Sequence, residues 1–438
     1  MPTSPSAPPL ELPHAMLDLA ARTPLIVFSH RRWGVVTHRP QPLLERLALQ
    51  FDVYVVEEPV FADAEAALMS ATHQGGIEVL TPRTKEFASG FHDSQVAAIR
   101  PLLADFMASR GLRDPIVWLT TPMALPLAVD LEPRTLVYDC IEDLAASRSA
   151  PPQLAAREAA LMDLADVVLA GGPSLYEARR GRHPNLHCLP SAVDPALFAP
   201  ENLDGDDVEA AVATALHRGL RCPRLGFFGV IDERLDLELV AGLADRRPGW
   251  QLVMVGPVAR LDPATLPQRA NIHWAGRQRH EALPHLMSHW DVCLLPYALN
   301  EATRRASPAQ TPEYLAGGKP VVSTPIRDVV SLYGAAVHVG KDADQFVAAV
   351  EDILDEPAPA GAARRAAARA LVAAHTWDDA ASFVARLLLD DVAPGRAAPI
   401  MLHDRRTAAV RPAEPDATPP PVPVPADRVD LPARPLPL

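Results

Sequence analysis

The stretch from Asn300 to Pro325 constrains the fold of this chain more than any other part of the sequence. An apolar run of strand length, Asp291 to Tyr297, lies just before it, and a second such run, Pro320 to Thr324, lies near its end. Between the two runs come a polar loop, the start of a short helix and the pair Gly317-Gly318. A strand, a helix and a returning strand form one βαβ step, which requires parallel strands. The sequence therefore predicts an α/β fold with a parallel sheet.

The loop and helix between these two runs are predicted to bind a ligand, because ligands of α/β sheets lie beyond the carboxyl ends of the strands. Ser307 fits a helix N-cap, with Pro308 at the first helical position and Gln310 completing a capping box. Thr311 as the cap, followed by Pro312, is the alternative start. Either start offers free backbone N–H groups to a phosphate.

Glu313 lies near the start of this helix under either alternative. A carboxylate in this position can accept two hydrogen bonds from a vicinal diol, such as the ribose of a nucleotide, while the helix start holds the diphosphate. The competing interpretation is an acidic residue that only favours the first helical turn electrostatically, by ~0.3–1 kcal/mol. The motif by itself does not decide between the two.

The segment from Ser307 to Thr324 resembles the donor-nucleotide motif of GT-B glycosyltransferases. It is most similar to bacterial exopolysaccharide-type members, of the family 4 and family 1 kind, in which the motif reads roughly SP-small-K-T-x-EY-x-A-x-GKP-[IV]-VST. The resemblance implies that Glu313 binds the ribose of the donor. It also implies that four further residues belong to the donor site, namely Arg304, Ser307, Pro308 and Thr311.

Two residues depart from this motif. Arg305 stands eight positions before Glu313, where the wider retaining class carries a first glutamate. Gln310 stands where a basic residue is expected. The ribose-binding role therefore transfers to Glu313, whereas the sugar-facing role of the first glutamate transfers to no residue of this chain.

The loop after the first predicted strand, Leu25 to Ser29, reads SHRRWGVVTHRPQ and leads into a helix predicted from Gln41 to Leu49. On its residues alone it is either a solvated basic loop with a packed tryptophan or a loop that faces a ligand. It resembles the SH-[LR]-RW-[GD]-[FV]-x-x-x-RPQ opening of the same glycosyltransferase group. The resemblance implies a catalytic role for His30 and an acceptor-side position for three residues, namely Arg31, Trp33 and Arg39.

A strand predicted from Thr135 to Asp143 carries several acidic residues towards its carboxyl end. An acidic group at such a strand end can act as a general base towards an acceptor hydroxyl, or can orient it. Asp139 is the candidate for this role. The competing interpretation is a cluster of helix N-cap residues.

A second set of strands begins with RLGFFGVI, from Arg224 to Ile231. A glycine after a strand lets a ligand approach the backbone closely, although the complete GxGxxG pattern is missing here. By the resemblance, the loop from Gly229 to Arg234 faces the donor diphosphate, and Arg234 is its charge partner. The alternative is an exposed arginine at a helix start. The segment Asn271 to Gly276 resembles the one whose backbone pairs with the nucleobase.

Strands and helices alternate along the chain, and its 438 residues suffice for two full cores. We predict two Rossmann-like domains with parallel sheets that face each other across a cleft, the GT-B arrangement. The predicted division is a flexible N-terminus (1–22), an acceptor domain (23–200) completed by a returning helix (376–390), a linker (201–221), a nucleotide-sugar domain (222–375) and a disordered Pro-rich tail (391–438).

Composition narrows the partners and the compartment. A net charge of −13 opposes binding to nucleic acid, and no apolar run approaches the ~20 residues that span a bilayer. No signal peptide is visible. The four cysteines are widely spaced, which indicates buried thiols in a reducing cytoplasm. A basic segment, Ala178 to Pro184, is either a solvated helix end or a contact with an anionic membrane.

The predicted function is transfer of a sugar from a UDP- or GDP-linked donor to the hydroxyl of a sugar or lipid-linked acceptor, in polysaccharide or glycoconjugate synthesis. Neither a cofactor nor a metal is expected, and the acidic Asp204-x-Asp206 segment is discounted as a metal site because it follows no strand. The predicted location is the cytoplasm, peripheral to the inner membrane face for a lipid-linked acceptor. A nucleotide-sugar epimerase and a non-catalytic nucleotide-sugar-binding protein are the alternatives, the latter suggested by Arg305 and Gln310.

Overall fold

The computed structural model describes residues 22–35, 39–147 and 150–389. The predicted tail, residues 391–438, and all but the last residue of the predicted N-terminal segment lie outside the described residues. The described chain forms two separate sheets, and helices cover both of them.

The first sheet has nine strands within the described ranges, and its central strand is β1 (Pro24–Ser29). The others are β2 (Asp52–Glu57), β3 (Val60–Phe61), β4 (Ala67–Thr72), β5 (Glu78–Thr84), β6 (Ile116–Leu119), β7 (Thr135–Cys140), β8 (Val167–Ala170) and β9 (Leu186–Cys188). Their order is β3-β5-β2-β1-β6-β7-β8-β9, all parallel, with β4 antiparallel on β5. The central strands are almost entirely apolar, as expected when helices cover both faces.

The second sheet has six strands and is parallel throughout. They are β10 (Arg224–Phe228), β11 (Gln251–Val255), β12 (Ile272–Gly276), β13 (Val292–Leu295), β14 (Val321–Ser323) and β15 (Val337–Val339). Their order is β12-β11-β10-β13-β14-β15. Strands β11 and β12 are therefore added on one side of β10, and β13 to β15 on the other. Such a reversal of the strand order opens a crevice at the carboxyl ends of the strands.

Fourteen α-helices connect the strands of the described chain. Those up to the second sheet are α1 (Gln41–Leu47), α2 (Asp93–Arg110), α3 (Leu125–Val129), α4 (Leu154–Leu164), α5 (Pro173–Arg179), α6 (Pro195–Phe198) and α7 (Val208–His217). The rest are α8 (Leu237–Arg246), α9 (Leu283–Ser288), α10 (Gln310–Ala316), α11 (Arg327–Tyr333), α12 (Ala343–Leu354), α13 (Ala358–Val372) and α14 (Trp377–Leu389).

Two regions differ from the sequence-based prediction. The predicted linker, residues 201–221, contains α7, and Ala213 of this helix is fully buried in the core of the second sheet. An acidic segment without strand character is thus partly a helix of the second core. The strands β3, β4 and β5 were also not predicted. β3 has only two residues. β4 is exposed along most of its length and has no alternating apolar pattern, and β5 contains a proline.

Helix α14 crosses back to the first sheet. Seven of its residues are buried there against β1 and its neighbours, and the ring of Phe383 contacts His187 edge-on, with 5.5 Å between the ring centroids. At the crossing, the backbone N–H of Trp377 donates to Val193 O at 3.2 Å, and the N–H of Val193 donates to His375 O at 3.1 Å. The last described helix therefore belongs to the core of the first sheet.

Burial of the cysteines follows the prediction for three of the four. Cys140, Cys188 and Cys293 are buried, and burial raises the pKa of the Cys140 thiol to about 12. Cys222 is exposed, so the expectation of a buried thiol is wrong at this position. None of the four forms a disulfide within the described residues.

We predict that Phe383→Ala lowers the free energy of unfolding by about 3–5 kcal/mol, because it leaves a cavity between α14 and the first sheet. Leu389→Ala on the same helix is the control, since Leu389 is 53% exposed, and we expect it to cost less than about 1 kcal/mol. Denaturant titration of both variants measures the difference. Equal effects would mean that α14 is not part of this core.

Candidate active site

A cleft of about 230 Å³ opens at the reversal point of the second sheet. Its lining comes from the loops after β10, β11 and β12, and from the first two turns of α10. Gly34, Val35 and Gln41 of the first domain close it on the opposite side. Arg277, which follows β12, joins the two sides by donating to Gly34 O at 2.9 Å. The segment predicted to face a nucleobase thus ends at this cleft.

Glu313 lines the cleft from helix α10. The helix begins at Gln310 with Ala309 as its N-cap, and no described side chain caps it. Neither predicted start is therefore correct. Pro312 occupies the third helical position, where its missing N–H is one of the four that an α-helix leaves unpaired in any case. Burial raises the pKa of the Glu313 carboxyl to about 8, so the neutral carboxyl predominates at neutral pH.

Helix α10 is fixed to the end of β10. The buried Tyr314 hydroxyl accepts a hydrogen bond from the N–H of Phe228 at 3.0 Å. A Cβ atom at Gly317 would lie 2.1 Å from Cε of Met287, and Gly318 has a φ of +66°, so this double glycine ends the helix where no side chain fits. Lys319 donates to Ser288 O and Trp290 O at 3.0 and 2.7 Å, and its role is structural.

The loop after β10 lines the cleft at Gly229 and continues to Arg234. A Cβ atom at Gly229 would come 2.4 Å from Nε2 of Gln310, whose amide lies where a basic residue was expected. The guanidinium of Arg234 binds Asp232 through Nε and Nη2, at 2.9 and 2.7 Å. Burial works against the charge of Arg234, but the hydrogen bonds and negative charge of Asp232 outweigh it and raise the pKa of Arg234.

The four other predicted donor residues are dispersed. Arg304 is exposed and pairs with Glu301 at 3.3 Å. Ser307 and the adjoining Pro308 are half-buried, and Ser307 lies against Gly172 of the first domain, where a Cβ atom would meet its Cβ at 2.7 Å. Thr311 is fully buried, and its hydroxyl has no hydrogen-bond partner among the described residues. The structure therefore does not bring Arg304 or the Thr311 side chain to the cleft.

Asp139 and Arg39 form a buried pair inside the first domain. Asp139 is 0% exposed and Arg39 is 3% exposed, and the guanidinium binds both carboxylate oxygens and also Leu189 O. A buried charge pair of this kind leaves neither group a surface for a substrate. The predictions of Asp139 as general base and of Arg39 as an acceptor-side residue are therefore corrected, because both side chains are enclosed by the domain.

Glu142, three residues after Asp139, faces the second domain instead. Its Oε1 lies 3.2 Å from Nε2 of His30 and 2.8 Å from Nη2 of Arg31, and its Oε2 lies 4.0 Å from Nη1 of Arg234. Burial works against its charge, but Arg31, His30 and Arg234 outweigh it and hold the pKa of Glu142 well below its usual range. The signal for this residue was present in the acidic end of the predicted strand, but the strand itself ends at Cys140.

Trp33 and Arg305 also contact the surroundings of the cleft. The N–H of Trp33 donates to Oε1 of Glu57 at 2.5 Å, and its half-buried ring lies 6.0 Å from that of His73. Arg305, which replaces the expected first glutamate, forms an ion pair with Asp143 of the first domain. It thereby links the two domains beside Glu142.

The described residues contain neither a group of metal ligands nor a helix that could span a membrane. In residues 22–35, 39–147 and 150–389, no three side chains of His, Cys, Asp or Glu are grouped as a metal site would require. No helix in these ranges has the length and apolar character of a membrane span. In the basic segment, Arg179 is 5% exposed and bound to Glu158, so it is not a surface charge.

Comparison with known proteins found one matching family model and one related sequence. Residues 223–356 match the family model described as Glycosyl transferases group 1. TuaH of Bacillus subtilis (strain 168), provisionally named a teichuronic acid biosynthesis glycosyltransferase, is 25% identical over 261 residues, which cover 55% of this chain and 64% of TuaH. The chain therefore spans less than two thirds of the length of this relative.

Several solved structures share the fold of this chain. A trehalose-6-phosphate structure from E. coli, bound with UDP-2-fluoro glucose, aligns with a TM-score of 0.62 at 14% identity, over 83% of this chain and 99% of that one. HepE from Anabaena, in complex with UDP and glucose, aligns with 0.62 at 16% identity, over 84% and 99%. Sucrose-phosphate synthase from Thermosynechococcus elongatus gives 0.63 at 17%, over 84% and 98%. The predicted GT-B fold is confirmed.

We predict that the stability of the ligand-free protein depends on the protonation of Glu313. Its folded-state pKa of about 8 lies above the ordinary value of 4.5, so its contribution is complete below pH 4.5 and is lost as the pH rises through 8. Glu313→Gln should therefore gain stability relative to the parent between pH 5 and 8, by up to about 1.4 kcal/mol per pH unit. Denaturant titrations across this range measure the difference, and a constant difference would contradict the prediction.

Proposed function

We propose that this protein transfers a sugar from a nucleotide-sugar donor to an acceptor hydroxyl. The observation that carries the proposal is the cleft at the reversal point of the second sheet. Glu313 lines it from the second domain. Arg234, on the loop that lines the cleft at Gly229, faces Glu142 and His30 of the first domain. A donor and an acceptor bound on opposite sides would meet between these groups.

On the donor side, Glu313 would bind the ribose and Arg234 the diphosphate. The carboxyl of Glu313 stands at the cleft on a helix whose position Tyr314 fixes, as a ribose contact requires. Nη1 of Arg234 makes no hydrogen bond with Asp232 in the described contacts and remains available for a phosphate oxygen. The two neighbours described as complexes with UDP-2-fluoro glucose and with UDP support a uridine donor. A GDP-linked sugar is the alternative, and no cofactor is proposed.

The reaction would join the acceptor oxygen to the anomeric carbon and break the bond from that carbon to the diphosphate. The electron pair of the broken bond goes to the diphosphate, whose charge Arg234 stabilises. The acceptor proton passes to a base on the side of the first domain, where His30 and Glu142 lie 3.2 Å apart. In this arrangement Arg31 holds the pair in place through its contact with Glu142.

For the acceptor we propose a sugar or lipid-linked hydroxyl in polysaccharide synthesis, which the name of TuaH supports. The setting would be the cytoplasm, and a lipid-linked acceptor would bring the enzyme to the inner face of the membrane. The unpaired cysteines fit a reducing compartment.

The test is a screen of nucleotide sugars by thermal shift, followed by analysis of the products. A cognate donor at 100 times its Kd adds about 2.7 kcal/mol of stability, which raises the melting temperature measurably. A new glycoside supports the proposal. An isomerised nucleotide sugar would identify an epimerase instead, and binding without any product would identify a binding protein.

We predict that Glu313→Ala weakens binding of the donor nucleotide by about five- to a hundredfold, since the loss of a hydrogen-bonding partner in a buried site costs roughly 1–3 kcal/mol. Glu313→Gln should keep part of the affinity, because an amide oxygen still accepts one bond. Calorimetric titration with UDP and GDP measures this. If Glu313→Ala binds the nucleotide as tightly as the parent, the ribose site lies elsewhere.

We also predict that the activity survives excess EDTA, because the fixed charge of Arg234 can stabilise the departing diphosphate. The measurement is the initial rate of transfer before and after dialysis against EDTA, with Mn²⁺ added back. Loss of the activity in EDTA and its return with Mn²⁺ would contradict the prediction, whereas stimulation of an already measurable rate would not.

A further inference from the structure

Glu142 lies between the two domains, and one of its carboxylate oxygens is bound by the first domain while the other faces the second. Its Oε1 is occupied by His30 and Arg31 of the first domain, at 3.2 and 2.8 Å. Its Oε2 faces Nη1 of Arg234 at 4.0 Å. The side chain is 35% exposed, so an acceptor hydroxyl bound between the domains can reach it.

His30 is less free than Glu142. Nδ1 of its ring lies 2.8 Å from the Thr120 hydroxyl, which also accepts the N–H of His30 at 3.3 Å and lies 3.2 Å from Phe28 O. Nε2 lies 3.2 Å from Glu142 and 3.3 Å from Nε of Arg31. Both ring nitrogens are therefore engaged by the protein. His30 can orient Glu142 in this arrangement, but it has no nitrogen left for an acceptor hydroxyl.

Only one nitrogen of the Arg234 guanidinium, Nη1, is not bound to Asp232 in the described contacts. Its Nε and Nη2 bind Asp232, which is 5% exposed, and these bonds fix the plane of the guanidinium. The remaining end, Nη1, can face Glu142 or a phosphate oxygen of the donor. Because a diphosphate carries more negative charge than one carboxylate, donor binding should direct Nη1 to the phosphate.

We propose that Glu142 is the catalytic carboxylate that receives the acceptor hydroxyl, and that Arg234 covers it until the donor diphosphate takes over Nη1. This inference rests on the proposed function. The acceptor O–H donates to Oε2 of Glu142, the acceptor oxygen forms its bond to the anomeric carbon, and the bond to the diphosphate breaks with its electron pair. The proton remains on Glu142 and leaves to solvent when the products depart.

The proposal also explains how a strongly acidic carboxyl could accept a proton. In the free protein, burial is outweighed by Arg31, His30 and Arg234, which hold the pKa of Glu142 low. A bound diphosphate neutralises Arg234 and adds negative charge nearby, and both changes make Glu142 more basic. The carboxylate would thus become an effective base only when a donor is present.

The test compares Glu142→Gln with the parent, with Glu78→Gln as the matched control. Glu78 is also a glutamate of the first domain bound by an arginine, Arg110, at 2.8 Å, but it begins β5, which lies on the other side of β1 from β7. Using the donor found in the screen, we expect Glu142→Gln to lower kcat by a hundredfold or more, as is typical when a general base is removed. Glu78→Gln should stay within threefold of the parent.

Calorimetry with UDP and GDP provides a second readout, which does not depend on turnover. Removal of the competing charge should leave the nucleotide affinity of Glu142→Gln unchanged or raise it up to tenfold, whereas a merely structural role would weaken it. A parent that transfers no sugar overturns the proposed function. An active parent with Glu142→Gln within threefold in kcat overturns the role of Glu142 alone, and an affinity loss above threefold overturns the sharing of Nη1.

Discussion

Parallel pairing of β10 with β11 on one side and with β13 on the other is the constraint on which this protein depends. The connections that leave these strands must diverge, and the resulting gap cannot be filled by the sheet itself. The loop after β10 and the helix α10 both reach this gap. A single hydrogen bond, from Phe228 to the Tyr314 hydroxyl, sets the distance between them. The register of three strands thereby determines where a nucleotide can bind.

Charges around the cleft are arranged in neighbouring pairs. Arg31 and Arg234 flank Glu142, Asp232 holds Arg234, and the ion pair of Arg305 and Asp143 lies beside them. Half-buried charges need such partners, because water no longer compensates them fully. The pairing also means that each arginine reaches the cleft with part of its hydrogen-bonding capacity already used. Only the unused part, such as Nη1 of Arg234, is free to respond to a ligand.

The sequence was sufficient to predict those features of the fold that depend on the pattern of apolar residues and glycines. Apolar runs of strand length and the Gly317-Gly318 pair indicated the parallel sheets and the position of Glu313, because strands buried on both faces are continuous apolar runs. It was insufficient to predict which side chains lie close together in the folded protein. Asp139 and Glu142 belong to the same acidic segment, but only the folded chain separates the one enclosed with Arg39 from the one in the cleft. The start of α10 was missed because Ser307 and Thr311 are each followed by a proline, so that both were equally good candidates for the helix N-cap.

The polypeptide passes between the two domains at two places, after β9 and before α14, and these passages are not independent. Val193 and Thr376 pair as a parallel bridge, with hydrogen bonds between Val193 and the residues on either side of Thr376. Two neighbouring, bonded crossings join the domains at one place rather than two. We expect any rotation of one domain against the other to turn about this bridge, so that the cleft widens or narrows while the strand ends keep their facing order.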